Sequence, residues 1–495
     1  MDHVGHVIDN RSVEGPEDRR SPIYNPSTGE VQRTVGLASP AMVNRAIESS
    51  VAAAATWGAT SLSRRAEVLF RFRQLIADNA DTLAEAVSVE HGKTLPDAAG
   101  EVARGLENVE FATGLMHLLK GGHAGEVAGG VDVRSERYPL GVVAGITPFN
   151  FPAMVPLWMA ANAIACGNAF ILKPSEKDPS ASVVLAELAA EAGLPPGVLN
   201  VLHGDAEVVG QLLDDPRVAA ASFVGSTPVA RSIYSRGTAA GKRVQALGGA
   251  KNHMVVLPDA ELAGAADAAV SAAYGSAGER CMAVSVVVAV GDVADGLVAA
   301  IAERMGKLVV GPSLEPSSEM GPLVTGEHRD KVASYLDAAV ADGATLVVDG
   351  RQHPVPSSGF FLGPSLVDHV RPGTSVYDDE IFGPVLSVVR VETFDEAVAL
   401  VNANPYGNGV AIFTRDGGAA RRFERSVQVG MVGINVPIPV PVASFSFGGW
   451  KDSLFGDTHI YGPSGLDFYT RWKVTTQRWP DPGTSSVDLG FPRTR

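Results

Sequence analysis

Cysteine is almost absent from this sequence: Cys166 and Cys281 are the two present among 495 residues. Two thiols cannot build the disulfide framework of a secreted protein, so we expect a reducing, cytoplasmic setting. The stretch 1–20 is polar and carries mixed charge, and it lacks the apolar segment of a secretory signal. This absence favours the same location.

Positive charge is also scarce, because 40 Lys and Arg face 55 Asp and Glu, which gives a formal charge of −15. Such a balance argues against nucleic acid or an anionic membrane as a partner. An anionic substrate must therefore meet individually placed Arg or Lys side chains. No metal site is predicted.

Residues 140–172 contain no Asp, Glu, Lys or Arg, and this run is long enough for a membrane span. Pro148, Pro152 and Pro156 interrupt it. We therefore expect a buried strand, a turn and a core helix that follows Pro156.

The apolar pattern predicts an α/β protein. Helical spacing runs from Pro40 to Asn79 and from Asp97 to Lys120. Strands and helices then alternate from Val142 to Leu257, starting with a strand from Val142 to Ile146. They alternate again from Glu261 to about Asn435, with a strand from Val284 to Val290. Alternation of this kind predicts a doubly wound parallel sheet that binds a nucleotide at its strand ends.

A glycine-rich break from Gly121 to Gly130 precedes a predicted strand at Val131. The segment Phe468 to Gln477 also has strand character. If the two segments pair, they form a small projecting sheet, which needs another subunit to cover it. The sequence therefore predicts a homo-oligomer.

The usual dinucleotide fingerprint, G-x-G-x-x-G, does not occur. Phe223 to Pro228 instead runs from a strand into a helix, where Gly225 allows close approach and Ser226 is the expected cap. Lys173 and Glu176 follow another strand and are suited to ribose hydroxyls, and a carboxylate there favours NAD over NADP. An ordinary capped helix and a solvated turn are the alternatives.

Two further residues suit covalent chemistry. Cys281 lies in Gly278-Glu279-Arg280-Cys281-Met282-Ala283, where Arg280 is expected to favour the thiolate. Asn150 is held between two prolines and is a plausible oxyanion donor, worth about 3 kcal/mol in comparable sites. An inert buried cysteine and a turn asparagine are the alternatives.

Six stretches, in this order, resemble those of the aldehyde dehydrogenase superfamily. They are Pro148–Pro152, Lys173–Glu176, Phe223–Thr227, Gly278–Ala283, Glu380–Val385 and Asn404–Gly407. The resemblance covers about 24–478 and implies a Rossmann-type NAD domain, an α/β catalytic domain and a small β oligomerisation arm. It implies that Cys281 is the nucleophile, Asn150 the oxyanion donor and Glu380 the ligand of the nicotinamide-side ribose.

One family feature is missing. Typical members carry Glu-Leu-Gly-Gly some thirty residues before the cysteine, and that glutamate activates the hydrolytic water. Counting back from Cys281 places the position at Leu247, whereas alignment on Leu-Gly-Gly places it at Ala246. Neither residue accepts a proton, so a thiol such as coenzyme A is expected to release the acyl group.

Three features together resemble the coenzyme A-acylating methylmalonate-semialdehyde dehydrogenase branch. They are the missing glutamate, the run Gly-Ala-Lys-Asn-His at 249–253 and the proline-rich run 436–441. In that branch one arginine before the cysteine and another on an N-terminal helix bind the substrate carboxylate. The matching residues are Arg280 and Arg104. For Arg104 the alternative is a helix-face pair with Glu101 or Asn108.

The resemblance implies oxidative decarboxylation of malonate or methylmalonate semialdehyde, in valine or inositol breakdown, by a tetramer or dimer. The expected domains are 1–120 with 141–252 for NAD, 253–440 for catalysis, 121–140 with 466–495 as the arm, and 441–465 as a return segment. The residues expected to bind NAD are Thr147, Phe149, Lys173, Glu176, Lys177, Gly225, Ser226, Gly248, Glu380 and Phe382.

Two other functions stay open at this point. The first is a hydrolytic aldehyde dehydrogenase that activates water through Glu279 or Glu380 and releases a free acid without coenzyme A. The second is a non-catalytic protein that keeps the same fold, although it would have no need of Cys281, Asn150, Lys173 and Glu380 together.

Overall fold

The computed structural model describes residues 2–479, 483, 487 and 489–491. Its strands are β1 Asp2–Val4, β2 His6–Ile8, β3 Arg11–Val13, β4 Arg20–Asn25, β5 Glu30–Gly36, β6 Gly122–Ala128, β7 Val131–Pro139, β8 Val142–Ile146, β9 Ala169–Lys173, β10 Leu199–Val201, β11 Val218–Val224, β12 Arg243–Leu247, β13 Asn252–Val256, β14 Val284–Val290, β15 Thr345–Val348, β16 Ser365–Asp368, β17 Val385–Val391, β18 Tyr406–Gly407, β19 Gly409–Phe413, β20 Met431–Ile434, β21 Trp450–Lys451, β22 Leu454–Phe455 and β23 Thr470–Arg478.

The helices are α1 Pro40–Ala59, α2 Leu62–Asp78, α3 Ala80–His91, α4 Leu95–Thr113, α5 Leu115–Leu118, α6 Met154–Ala165, α7 Ser180–Glu191, α8 Ala206–Asp214, α9 Thr227–Ala239, α10 Leu262–Tyr274, α11 Ala294–Met305, α12 Gly326–Ala341, α13 Ser375–Asp378, α14 Phe394–Ala403, α15 Gly417–Ser426 and α16 Gly462–Phe468.

The first large sheet has the strand order β22-β12-β11-β8-β9-β10-β2-β3. Its strands from β12 to β10 run parallel, which confirms the predicted doubly wound sheet. The uncharged run 140–172 forms β8, a turn and the fully buried helix α6, as expected. Within the described residues, no helix is both long and apolar enough to cross a membrane.

The second large sheet has the order β15-β16-β17-β14-β13-β19-β20, and all of its pairs except β15 with β16 are parallel. The loop of Cys281 precedes β14, that of Glu380 precedes β17, and β13 begins at Asn252. These three neighbouring strands therefore present the cysteine loop at their amino ends. The predicted nucleotide turns follow β8, β9, β11 and β12, at the carboxyl ends of the first sheet.

A three-stranded sheet, β23-β7-β6, stands beside the two large sheets. Antiparallel pairing from Thr470 with Pro139 to Arg478 with Val131 confirms the predicted association of these distant segments. Trp472 and Val474 are more than half exposed on this sheet. The expected arm also includes 480–482, 484–486, 488 and 492–495, which lie outside the described residues, and the domain boundaries stay predictions.

Two local expectations are wrong, and the N-terminal segment contains strands that the sequence did not predict. The glycine-rich break contains strand β6, which forms because β7 supplies its hydrogen bonds. The N-terminal strand β2 joins the first sheet by pairing with β10, almost two hundred residues away. Helix α6 begins at Met154, before Pro156, because proline in a first turn removes no intrahelical hydrogen bond.

Candidate active site

The cysteine loop is built around a left-handed turn. Ser276, Ala277 and Gly278 have φ of 55°, 51° and 77°. A Cβ on Gly278 would lie 2.3 Å from the Gly383 carbonyl oxygen, so only glycine allows the loop to approach the segment after Glu380. This contact fixes the loop beside the Glu380 segment.

Two side-chain amides hold the backbone of Cys281. Asn252 and Asn408 both donate to its carbonyl oxygen, at 2.9 and 3.1 Å. Burial, with the charge of Glu380, raises the pKa of the Cys281 thiol to about 12, although the N–H groups of Cys281 and Met282 favour the thiolate. This raised pKa contradicts the expectation of a thiolate favoured by Arg280.

Arg280 pairs with Asp97 on α4 at 2.7 Å. Its guanidinium rests against Gly275, where a Cβ would approach Nη1 to 2.5 Å. Arg104 donates to Glu107 and to the Pro441 carbonyl oxygen, both at 2.6 Å. The helix partner of Arg104 is therefore Glu107, and neither Glu101 nor Asn108 pairs with its guanidinium.

Both arginines nevertheless face one cavity of about 170 Å³ that reaches the thiol. We call it the arginine cavity; its walls include Arg104, Arg280, Cys281, Phe151, Trp158 and Phe447. Its walls are mostly apolar, but they also include Asp97 and Glu101. A carboxylate entering it meets, in a setting of low polarity, two arginines that already pair with Asp97 and Glu107. Ion pairs strengthen under such conditions.

A second cavity, of about 230 Å³, lies on the other side of Cys281. We call it the glycine cleft; it is lined by Cys281 and by the predicted residues Phe149, Asn150, Gly225, Ser226, Gly248, Glu380 and Phe382. The structure thus brings together six of the ten predicted NAD-binding residues and the oxyanion donor. Thr147, Lys173, Glu176 and Lys177 do not line the cleft.

These four residues lie close to it. Lys173 pairs with Glu176 at 3.1 Å, and the Lys177 ammonium lies 4.6 Å from the centre of the Phe149 ring. The backbone N–H of Thr147 donates to the Lys173 carbonyl oxygen. Strands β8 and β9 therefore end side by side at the edge of the cleft.

The glycine cleft fits a dinucleotide. Ser226 is the N-cap residue of α9, but its side chain makes no capping hydrogen bond, and Pro228 lies in the first turn. The first N–H groups of this helix are therefore suited to a pyrophosphate. At Gly249 a Cβ would lie 2.2 Å from Glu380 Oε2, so glycine keeps this part of the cleft open.

Asn150 is fixed through its backbone by residues that the sequence did not reveal. The buried ammonium of Lys93 donates to the Asn150 carbonyl oxygen at 2.6 Å and to Glu101 at 2.7 Å. Glu101 in turn accepts from the N–H groups of Ala153 and Met154, at the start of α6. No local pattern links Lys93 to Asn150, because their contact depends on tertiary packing.

A buried carboxyl lies beneath the cleft. Glu279 Oε1 accepts from the Val324 N–H, and its two oxygens each lie 3.7 Å from a histidine Nε2, one of His91 and one of His328. Burial raises the pKa of Glu279 to about 8 and lowers that of His91 well below its usual value. The charges of Lys177 and Lys93 offset only part of this rise.

A sequence profile described as the aldehyde dehydrogenase family matches residues 13–475. The chain belongs to this family. It is 56% identical over 496 residues to the malonate-semialdehyde dehydrogenase of Pseudomonas aeruginosa, across 99% of this chain and 100% of that protein.

Solved structures of the family agree. The methylmalonate-semialdehyde dehydrogenase of Oceanimonas doudoroffii is 54% identical and superposes with a TM-score of 0.96, across 98% of this chain and 99% of that one. A Sinorhizobium meliloti chain solved in complex with NAD is 52% identical, with the same TM-score and the same coverage.

The fold also indicates which of the two residues, Leu247 or Ala246, takes the position of the missing base. Leu247 packs in the hydrophobic cluster that contains Met282 and that Cys281 contacts. Ala246 points to the opposite face of the sheet, among Ile146 and Phe223. Leu247 is therefore on the face of the sheet that carries the cluster contacted by Cys281, which we call the thiol side, and it cannot accept a proton.

Proposed function

We propose that this protein catalyses the NAD-dependent oxidative decarboxylation of malonate or methylmalonate semialdehyde, with acyl transfer to coenzyme A. The products are acetyl-CoA or propionyl-CoA, NADH and carbon dioxide or bicarbonate. One observation carries the proposal: Cys281 lies between the glycine cleft and the arginine cavity, while Leu247 occupies the thiol side where a hydrolytic base would stand. The names of the similar proteins agree with it.

The chain supplies each group that the chemistry needs. Cys281 attacks the aldehyde carbon after losing its proton, and the Asn150 amide with the Cys281 N–H stabilises the oxyanion. Arg104 and Arg280 bind the substrate carboxylate, because a guanidinium matches a carboxylate in shape and charge. The carboxylate is then β to the thioester carbonyl on Cys281, which accepts the electrons released when carbon dioxide departs.

NAD, when bound in the glycine cleft, supplies the hydride acceptor for the oxidation. Gly225 and Ser226 at the start of α9 are suited to its pyrophosphate, and Glu380 to the nicotinamide-side ribose. Lys173 and Glu176, paired at the edge of the cleft, are suited to the other ribose. The Glu176 carboxylate disfavours a 2′-phosphate, which supports NAD over NADP.

A hydrolytic aldehyde dehydrogenase is the second candidate. Glu380 favours it, because this residue lines the glycine cleft with Cys281 and burial raises its pKa to about 7, a suitable value for a general base. The product separates the two functions. We expect steady-state NADH formation to require coenzyme A and to yield acyl-CoA; unchanged turnover without coenzyme A, with free acid as product, would refute the acylating function.

We also propose that the chain is a cytoplasmic homo-oligomer, a dimer or a tetramer. Both cysteines are free thiols. The sheet formed by β6, β7 and β23 exposes Trp472 and Val474, an apolar pair that a second copy would cover. Within this proposal, 121–140 and 466–495 form the arm, 253–440 the catalytic domain, and 1–120 with 141–252 the NAD domain.

A further inference from the structure

Acyl transfer creates a proton that the chain has to accept. Coenzyme A reacts as a thiolate, so its S–H proton must leave as it attacks the thioester on Cys281. Leu247 cannot take this proton. We propose that the Glu380 carboxylate is the base that accepts it, an assignment that rests on the proposed function.

The position of Glu380 supports this role. It lines the glycine cleft together with Cys281, and the two residues also share the walls of a narrow space next to Lys251. Oε1 accepts from the Ala250 N–H at 2.9 Å, which fixes the carboxylate. Oε2 packs against Gly249, and no described residue donates a hydrogen bond to it. One oxygen is thus anchored, and the other is available for a proton.

The charges around Glu380 suit a base that works near neutral pH. Burial raises its pKa to about 7, while the Ala250 N–H and the Lys251 ammonium oppose the rise. Lys251 itself is fixed by the carbonyl oxygens of Val376 and Asp379. The other titratable groups that share a cavity with Glu380 or sense its charge are Cys281, Arg280, Tyr406, His328 and Lys331. A pKa near the working pH is the most effective one for general-base catalysis.

The step balances in atoms and charge. The thiol proton of coenzyme A moves to Glu380, its sulfur bonds to the acyl carbon, and the Asn150 amide stabilises the resulting oxyanion. The bond from the acyl carbon to Cys281 Sγ then breaks, and the departing thiolate takes the proton back from Glu380. Because the charge of Glu380 raises the pKa of Cys281, protonated Glu380 makes Cys281 a better leaving group.

Acyl transfer can be tested without NAD. Cys281 is acylated with p-nitrophenyl propionate, and the burst of p-nitrophenol confirms a folded enzyme with a reactive thiol. The loss of the propionyl group is then followed by mass spectrometry, with coenzyme A and with thiols of increasing acidity. Glu380→Gln preserves the acceptor for the Ala250 N–H but removes the base.

We expect Glu380→Gln to slow transfer to coenzyme A about a hundredfold. The loss should shrink as the thiol becomes more acidic, since an acidic thiol needs no base, and the rise in rate through about pH 7 should disappear. Asp379→Asn is the matched control. Asp379 is the adjacent carboxylate and bonds the Tyr335 hydroxyl, but it does not line the cleft, so this variant should behave as the wild type.

A loss that is equal for all thiols would assign Glu380 a structural role and overturn the inference. An unchanged rate in Glu380→Gln would overturn it as well. So would a slowing that depends on thiol acidity in Glu279→Gln and not in Glu380→Gln. If wild-type propionyl-enzyme does not pass its acyl group to coenzyme A at all, the proposed function itself fails. The two failures are therefore distinguishable.

Discussion

Glu279→Gln should stabilise the protein at neutral and alkaline pH. The Glu279 side chain is fully buried, and the facing His91 is neutral because burial lowers its pKa. Burial raises the pKa of Glu279 from 4.5 to about 8. The folded protein therefore holds this proton more tightly than the unfolded chain does.

The sign follows from proton linkage. A carboxyl with a raised folded pKa leaves stability highest below its unfolded pKa, and stability then falls as the pH rises from 4.5 towards about 8. At 1.36 kcal/mol per pH unit, ionisation of Glu279 in the unfolded chain, while the folded protein keeps it protonated, lowers the stability by about 3 kcal/mol at neutral pH. Glutamine has the same shape and no ionisation, so the variant avoids this cost.

Thermal unfolding from pH 5 to pH 9 measures the effect. The melting temperature of Glu279→Gln should exceed that of the wild type by a margin that is smallest near pH 5, grows with pH and becomes constant above about pH 8. Glu187→Gln, which changes an exposed carboxylate on α7, should show no such trend. A margin independent of pH, or a destabilised variant at pH 8, would mean that Glu279 is ionised in the fold and would refute the reasoning.

Two predictions concern substrate and water. Arg104→Ala should raise the KM for the semialdehyde acid at least tenfold, the value of a lost charge-assisted hydrogen bond, with little effect on propanal; equal effects on both would exclude carboxylate binding. Leu247→Glu should speed NADH turnover without coenzyme A about a hundredfold by restoring a base on the thiol side, with Leu247→Gln as control. No gain, despite an intact NADH burst, would contradict the position of the base.

Elements bounded by sharp sequence breaks were predictable. Strands Val142–Ile146 and Val284–Val290 have the predicted bounds, because each is a continuous β-branched or small apolar run that ends at a turn. Strand Gly122–Ala128 was not predictable, since glycine has low strand propensity and its hydrogen bonds come from β7. The short N-terminal strands were not predictable either, because β2 takes its hydrogen bonds from the distant strand β10.

The candidate site divides in a similar way. Residues that follow a strand, such as Asn150 and Gly225, were predictable, because the ends of parallel strands share one edge of a sheet. Lys93 was not, because it reaches Asn150 from a link between two helices. Arg280 shows the opposite error: it neighbours Cys281 in the chain, but its guanidinium turns towards Asp97.

The pairing of Arg280 with Asp97 bears on which groups set the pKa of the Cys281 thiol. With Arg280 paired to Asp97, burial is the main cause of the raised Cys281 pKa, and the charge of Glu380 adds to it. Two negative charges in one low-dielectric site repel each other, so Glu380 disfavours the Cys281 thiolate. Cys281 therefore rests as a thiol, which resists oxidation because the thiolate is the reactive form.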